Sequence, residues 1–262
     1  MNAPAAAAGL RVLVTRPAVQ AAEWVERLRA AGLDAVPLPL IDIAPPSSPE
    51  AVEAAWRDLP AQRLVVFVSP NAAERFMALR PAGADWPAGV RAASIGPGTT
   101  RTLRRLGVPA AALVEPATEA PQFDSEALWA RLADADWRGA RVLLVRGDGG
   151  RAWLADTLAA AGAEVAFVGA YRRLAPTLDG AARRTLAAAL AAPGRHLWFF
   201  SSSEAIDHLA DLVEAGTDWS HARALATHPR IAARARALGI GQVHDARPTP
   251  AAVVACILSI AL

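Results

Sequence analysis

Two short apolar runs, Arg11-Val-Leu-Val-Thr-Arg-Pro17 and Arg141-Val-Leu-Leu-Val-Arg-Gly147, constrain the fold of this chain more than any other feature. Each is a β-branched and leucine stretch ending at an arginine and then a Pro or Gly. That is the pattern of a buried strand delivering a basic residue to a tight turn, with a helix behind it. The runs stand 130 residues apart, and Ala30-Ala31-Gly32 recurs as Ala160-Ala161-Gly162 at the same offset. Farther on the offset becomes 132, with Phe67 matching Phe199 and Gly107 matching Gly239. One supersecondary plan is used twice.

Taken in order, the chain alternates strands and helices. The first strand, Arg11 to Thr15, leads through Pro17 into a helix over Ala18 to Ala31, because proline is tolerated in a first helical turn. A strand from Ala35 to Ile43 contains Pro37 and Pro39 and is therefore expected at a sheet edge or in an exposed connector. A helix over Glu50 to Leu59 follows, then strands at Leu64 to Val68, Ala92 to Ile95 and Val114 to Pro116. Helices are expected from about Ala72, over Thr100 to Leu106 and over Ala127 to Leu132. The second copy runs through a strand at Arg141 to Arg146, a helix at Arg151 to Ala161, a strand at Glu164 to Arg172 and a helix at Ala181 to Ala191. Strands at His196 to Phe200 and Arg223 to Thr227 and a last helix at Pro250 to Ile260 complete it. Strand–helix alternation with short loops predicts α/β architecture: two similar doubly wound parallel-sheet domains produced by internal duplication.

The 262 residues suffice for two ordinary domains, each able to bury its own core. A hydrophobic share of 53% with 20% charged residues is that of a folded globular protein. A net charge of +2 with scattered arginines argues against a general nucleic-acid binder. All basic residues other than histidine are arginines, whose planar fork suits carboxylate or phosphate. The single cysteine, Cys256, excludes an internal disulfide and reads as a buried structural thiol. Met1 to Gly9 lacks the basic start of a signal peptide and reads as a frayed tail. The apolar end, Ala251 to Leu262, is too short to span a bilayer, so a cytoplasmic protein without membrane attachment is expected.

In open parallel sheets, ligands bind at the carboxyl ends of strands, where helix N-termini direct free N–H groups outward. The turns expected there are Thr15-Arg16-Pro17, Ser69-Pro70-Asn71, Gly96-Pro97-Gly98-Thr99, Arg146-Gly147, Ser201-Ser202-Ser203 and Thr227-His228-Pro229-Arg230. Hydroxyls, amides, glycines and arginines suit a polyanion. Ser69, Asn71, Thr99 and Ser201 to Ser203 read equally as helix caps, and Arg16 and Arg146 as partners of a nearby carboxylate. Tyr171, the only tyrosine, lies at a strand end beside two arginines, where its phenol is able to give a proton. His196, His208, His221 and His244 read as surface or strand-end residues. The sequence contains no glycine-rich dinucleotide fingerprint after the first strand, no P-loop, no nucleophile elbow and no cysteine–histidine cluster. A binding module for an anionic small molecule would present the same turns, and a nucleotide-dependent enzyme lacks a phosphate loop.

Six stretches in order carry a family likeness: Val-Thr-Arg-Pro, Phe-Val-Ser-Pro-Asn-Ala, Ser-Ile-Gly-Pro-Gly-Thr, Asp-Ser-Glu-Ala-Leu, Leu-Val-Arg-Gly-Asp-Gly-Gly-Arg and Phe-Phe-Ser-Ser-Ser-Glu-Ala. From about Leu10 to the C-terminus the chain resembles uroporphyrinogen-III synthases. The resemblance implies a crossed chain path: residues 1–36 and 173–262 as one domain, 37–172 as the other, joined by connector strands at about 36–43 and 165–172. It implies a cofactor-free, monomeric lyase that closes hydroxymethylbilane, a linear tetrapyrrole with eight carboxylates, while inverting its last ring. The substrate is expected in a cleft between the domains, received from the preceding enzyme of the pathway. Thr15, Arg16, Ser69, Asn71, Gly96, Thr99, Arg146, Gly147 and Ser201 to Ser203 are implied as substrate contacts, and Tyr171 as the group assisting departure of the hydroxyl. The final repeat departs from the family pattern, since Ile231 stands where many members have threonine. His228 or Arg230 is the candidate substitute contact there.

Overall fold

The structure, a computed structural model, describes residues 9–260. Met1 to Ala8, most of the stretch read as a frayed tail, and residues 261–262 lie outside the described residues. The chain forms two compact units, one made of residues up to Asp42 together with those from Leu174 onward, the other of Ile43–Arg173.

The path begins with β1 (Arg11–Val14), α1 (Ala18–Ala30) and β2 (Asp34–Pro37). It continues through β3 (Asp42–Ala44), α2 (Pro49–Arg57), β4 (Leu64–Phe67), α3 (Pro70–Ala78), β5 (Arg91–Ser94), α4 (Pro97–Arg105) and β6 (Leu113–Val114). Then come α5 (Ser125–Trp129), β7 (Arg141–Gly147), α6 (Trp153–Ala160) and β8 (Glu164–Leu174). The last part holds α7 (Gly180–Ala191), β9 (His196–Phe200), α8 (Ser203–Leu212), β10 (Arg223–Ala226), α9 (Pro229–Leu238), β11 (Gln242–Asp245) and α10 (Pro250–Ile260).

One sheet has the order β11-β10-β9-β1-β2 and is parallel throughout. The other has the order β3-β8-β7-β4-β5-β6, parallel from β8 to β6. Matched by their sequence echoes, β2-β1-β9-β10 and β8-β7-β4-β5 are the same sheet. The second unit enters it at β4 and ends with β7 and β8, whereas the first opens with the matching β1 and β2. The units are therefore circular permutations of one plan.

Burial on both faces explains the uninterrupted apolar strands. All four residues of β4 are buried, and successive side chains point to opposite faces. Val65 and Phe67 join Val52, Trp56, Phe76 and Leu103 in one core. Leu64 and Val66 join Leu128, Leu154 and Leu158 in another. In the first unit Val12, Val14, Leu197, Phe199 and Leu225 pack with Trp24, Leu28, Val253 and Ile257. Trp24 meets Phe199 edge-on with ring centroids 5.0 Å apart.

Several boundaries differ from the sequence expectations. The strand expected over Ala35 to Ile43 is two strands, because proline has no N–H for a ladder. Pro37 ends β2, an edge strand, and Leu38 and Leu40 then donate backbone N–H bonds to Val14 and Thr15. Helices α3 and α4 begin at Pro70 and Pro97, earlier than Ala72 and Thr100, because each proline occupies the first helical position. Strand β11 has no counterpart in the sequence reading: Gln-Val-His-Asp is short and polar, and its place is set by pairing with β10.

Gly241, just before β11, donates its N–H to the Trp219 carbonyl. A Cβ added there would lie 1.9 Å from the Ser220 carbonyl oxygen, a backbone atom that cannot turn away. Gly241→Ala is expected to destabilise the protein by about 3 kcal/mol, seen as a lowered unfolding midpoint in urea. An unchanged midpoint would show that this approach is not a constraint.

Candidate functional site

In each sheet the connections diverge at one place, between β1 and β9 in the first unit and between β7 and β4 in the second. Beyond the carboxyl ends of such strand pairs, an open parallel sheet leaves a crevice for ligands. The sequence-chosen turns Thr15-Arg16, Ser201 to Ser203 and Ser69 to Asn71 follow three of these strands, and Arg146-Gly147, expected as a turn, are the last two residues of β7. Gly96 and Thr99 follow β5, and His228 and Arg230 follow β10.

In the first unit, Thr15 is buried and its Oγ1 donates to the Phe199 carbonyl at 2.8 Å. The Arg16 Nε donates to Ser201 Oγ at 2.8 Å, and the guanidinium lies 5.4 Å from the Trp24 ring centroid. Ser202 is the N-cap of α8 but makes no side-chain capping bond, and Ser203 is the first residue of that helix. His228 caps α9, its Nδ1 accepting from the Arg230 N–H at 3.1 Å. That bond places the proton of the neutral ring on Nε2. Arg230 is exposed. His196 and His208 have other duties, each donating from Nδ1 to a carbonyl, that of Ala192 at 3.0 Å and that of Leu40 at 2.7 Å. A groove of about 440 Å³ between Pro176, Leu178, Leu186, Leu190 and Leu212 includes none of the candidate residues.

In the second unit the register of β7 with β8 shifts after Arg146, so that Gly147 faces Tyr171. Strict alternation would put Val168 and Ala170 on one face and Tyr171 on the other. The irregularity lets all three enter the same core, as bulges commonly do beside functional sites. Tyr171 is only 2% exposed. Its Oη lies 3.1 Å from Ser69 Oγ, which also accepts from the Ala72 N–H at 3.1 Å and so caps α3. Ser69 is thus both a cap and a partner of the tyrosine. Asn71 is the second residue of α3 and half-buried.

Arg146 is half-buried, with its guanidinium 4.2 Å from the Phe167 ring centroid. It makes no ion pair among the described residues. Phe167 itself is 45% exposed, and a large ring left open to solvent is the more informative observation. Gly96 is the N-cap of α4, and Thr99 is buried inside the first turn of that helix. Ile231, at the matching place in α9, is buried too, so this position is packed in both units. Asp124 caps α5 through the Ala127 N–H, and Glu126 pairs with Arg151.

The sequence reading missed a polar chain beneath α4. Thr100 Oγ1 donates to Glu115 Oε2 at 2.6 Å and lies 2.7 Å from Ser94 Oγ. It also missed Phe167 and Trp24 as partners of the two arginines, for which linear sequence carries no signal. Among the described residues, no group of three or more His, Cys, Asp or Glu side chains is placed to hold a metal ion. Cys256, expected to be buried, is half-buried, and burial, then Asp245, pushes its thiol above its ordinary value. No helix among the described residues is long and apolar enough to cross a membrane.

The profile of the family described as Uroporphyrinogen-III synthase HemD matches residues 22–255. The chain belongs to the uroporphyrinogen-III synthase family. Among named members, uroporphyrinogen-III synthase of Salmonella typhimurium is 32% identical over 182 residues, 66% of this chain and 68% of that one. The Synechococcus elongatus enzyme is 29% identical over 221 residues, 81% of this chain and 78% of that one. A solved uroporphyrinogen III synthase of Thermus thermophilus, a mutant form, has a TM-score of 0.58 at 18% identity, covering 96% of this chain and 95% of its own. The Helicobacter pylori structure gives 0.56 at 13%, covering 96% and 99%. At those identities the likeness concerns the fold, and the α/β plan is that of the uroporphyrinogen-III synthases. The family profile begins after β1, so Thr15 and Arg16 stand outside the matched stretch.

The Ser94–Thr100–Glu115 chain yields a stability prediction. Thr100→Val removes the hydroxyl linking the other two groups and leaves the buried Ser94 short of a partner. A loss of about 1–2 kcal/mol is expected by denaturant unfolding. A change within error would mean that Ser94 is satisfied by the Gly96 carbonyl, 3.3 Å away.

Proposed function

We propose that this chain closes hydroxymethylbilane to uroporphyrinogen III, inverting ring D and releasing water, as a lyase of tetrapyrrole biosynthesis. The observation that carries this reading is the family match across residues 22–255. The two strand-end crevices support it, since each pairs an arginine with hydroxyl-bearing turns and helix N-termini. Arg16, Ser201 to Ser203, His228 and Arg230 on one unit, and Asn71, Gly96, Thr99 and Arg146 on the other, are the candidate contacts for a substrate with many carboxylates, while Ser69 and Gly147 lie against Tyr171.

In the reaction, the hydroxymethyl C–O bond breaks as the oxygen takes a proton and leaves as water, producing an azafulvene cation. Tyr171 gives that proton. The substituted carbon of ring D attacks the cationic carbon and forms a spiro intermediate. One bond of that intermediate breaks, ring D turns over, and closure at its free carbon is followed by loss of a proton there. One water is released and no oxidant or reductant is consumed, so the chemistry needs no cofactor. The bilane also closes unaided to the isomer without inversion, so holding the chain in one conformation matters as much as rate. Arginines bonded or stacked before substrate arrives lose little freedom on binding. The protein acts as a cytoplasmic monomer, takes its substrate from the preceding enzyme of the pathway, and engages neither membrane nor nucleic acid.

Purified protein incubated with freshly made hydroxymethylbilane should yield predominantly isomer III; isomer I alone would reject the proposal. Tyr171→Phe is expected to lower kcat by about 10²–10⁴ with little change in KM, and unchanged turnover would remove Tyr171 from the chemistry. Arg146→Ala should instead raise KM about tenfold or more, the worth of one charge-assisted carboxylate contact.

A further inference from the structure

At the two switch points the duplicated serine has different partners. Ser201, just after β9, accepts from Arg16. Ser69 holds the matching place after β4, yet its Oγ meets Tyr171 Oη at 3.1 Å, while Arg146 lies over Phe167. Tyr171 has no counterpart in the first unit, where the position 130 residues earlier is the buried Ile41.

We propose that Ser69 and Gly147 are positioning residues for Tyr171, acting on the reaction through the phenol rather than by gripping substrate carboxylates. The inference rests on the synthase reading and on Tyr171 as proton donor. Two observations carry it. First, Ser69 Oγ accepts the Ala72 N–H at the start of α3 and lies 3.1 Å from Tyr171 Oη, so its own proton is free to turn toward the tyrosine oxygen. The N–H, the serine hydroxyl and the phenol form a relay from the positive end of a helix. When the phenol gives up its proton, the charge left on Oη meets a hydrogen bond already polarised toward it. Second, the Tyr171 ring lies directly on Gly147. A Cβ at residue 147 would fall 2.9 Å from Cζ and 3.0 Å from Cε2. The Tyr171 carbonyl is fixed as well, accepting from the Asp148 N–H at 3.1 Å. Serine sets the oxygen and glycine sets the ring plane.

Tyr171 is the only tyrosine, so tyrosine labelled with ¹³C at Cζ gives one resonance that reports the bond at its oxygen. Ser69→Gly removes the hydroxyl while keeping a residue that starts helices almost as well. It is expected to lower kcat for isomer III by about tenfold to a hundredfold with KM within about twofold, as for loss of one bond to a charged group. The Cζ resonance should move, and Ser69→Thr should restore both resonance and turnover. Gly147→Ala should move the resonance and lower kcat in the same way. Ser48→Ala, which removes the side-chain cap of α2 through the Ala51 N–H, should change neither.

A raised KM with kcat and resonance unchanged in Ser69→Gly would make Ser69 a direct substrate contact and overturn the proposal. So would a loss of turnover that Ser48→Ala reproduces, or one that threonine fails to restore. If wild-type protein forms only isomer I, the synthase reading fails instead. The resonance would still show whether Ser69 holds Tyr171, so the two failures are distinguishable.

Discussion

The pairing of β1 with β9, and of β7 with β4, is the constraint from which the rest of each unit follows. In both pairs two strands with buried apolar centres lie side by side and parallel, so their carboxyl ends emerge together on one edge. The chain leaves one strand toward one flank of the sheet and the other strand toward the opposite flank. The crevice at this divergence is a consequence of topology, present before any side chain is chosen. Residues at these strand ends or just beyond them then face each other although they are far apart in sequence. Arg16 and Ser201 meet in this way, and Gly147 and Ser69 both meet Tyr171 of β8.

Duplication supplied two such crevices, and the bonds inside them have diverged. In the first unit the serine after the second strand fixes an arginine from the first, and the guanidinium also lies near Trp24. In the second unit the serine turns to a phenol that the β7–β8 irregularity delivers, and Arg146 moves over Phe167 instead. The matched turns of the two units therefore hold different side-chain pairs, arginine with serine in one and tyrosine with serine in the other.

How much of this was legible in the sequence depends on the range of the interaction behind each feature. Strands such as Leu64–Phe67 and the Leu197–Phe200 part of β9 are uninterrupted apolar runs, which the sequence pattern alone finds. Proline-started helices are equally local, although Pro70 and Pro97 belong to the first turn rather than before it. β11 was illegible because Gln-Val-His-Asp has no apolar pattern and becomes a strand only beside β10. The turns were legible as a class, since Thr-Arg-Pro, Ser-Pro-Asn and Ser-Ser-Ser are unusual sequences with which to leave a strand. Their individual duties were not. Whether Ser69 caps a helix or touches a functional group is decided by Tyr171, 102 residues later, and the answer is both. Whether Arg146 meets a carboxylate or a ring is decided by Phe167, an exposed residue that hydrophobic patterning would assign to a core.

The opening strand is where local and distant information differ most. Read alone, Arg11 to Pro17 looks like the head of a domain formed by the residues that follow. In the fold it pairs on one side with β2, its near neighbour, and on the other with β9, Arg11 facing His196. Thr15 then fastens the join twice, its N–H reaching the Phe199 carbonyl at 3.4 Å and its Oγ1 the same oxygen at 2.8 Å. That fastening extends the β1–β9 ladder to the residue before Arg16, which matters because the residues linking Arg16 to Ser201 in sequence belong largely to the other unit. The hydroxyl of Thr15, buried and turned inward, therefore helps to place Arg16. It holds the strand end from which the arginine starts, and a side chain as long as arginine is only as well placed as the backbone that carries it.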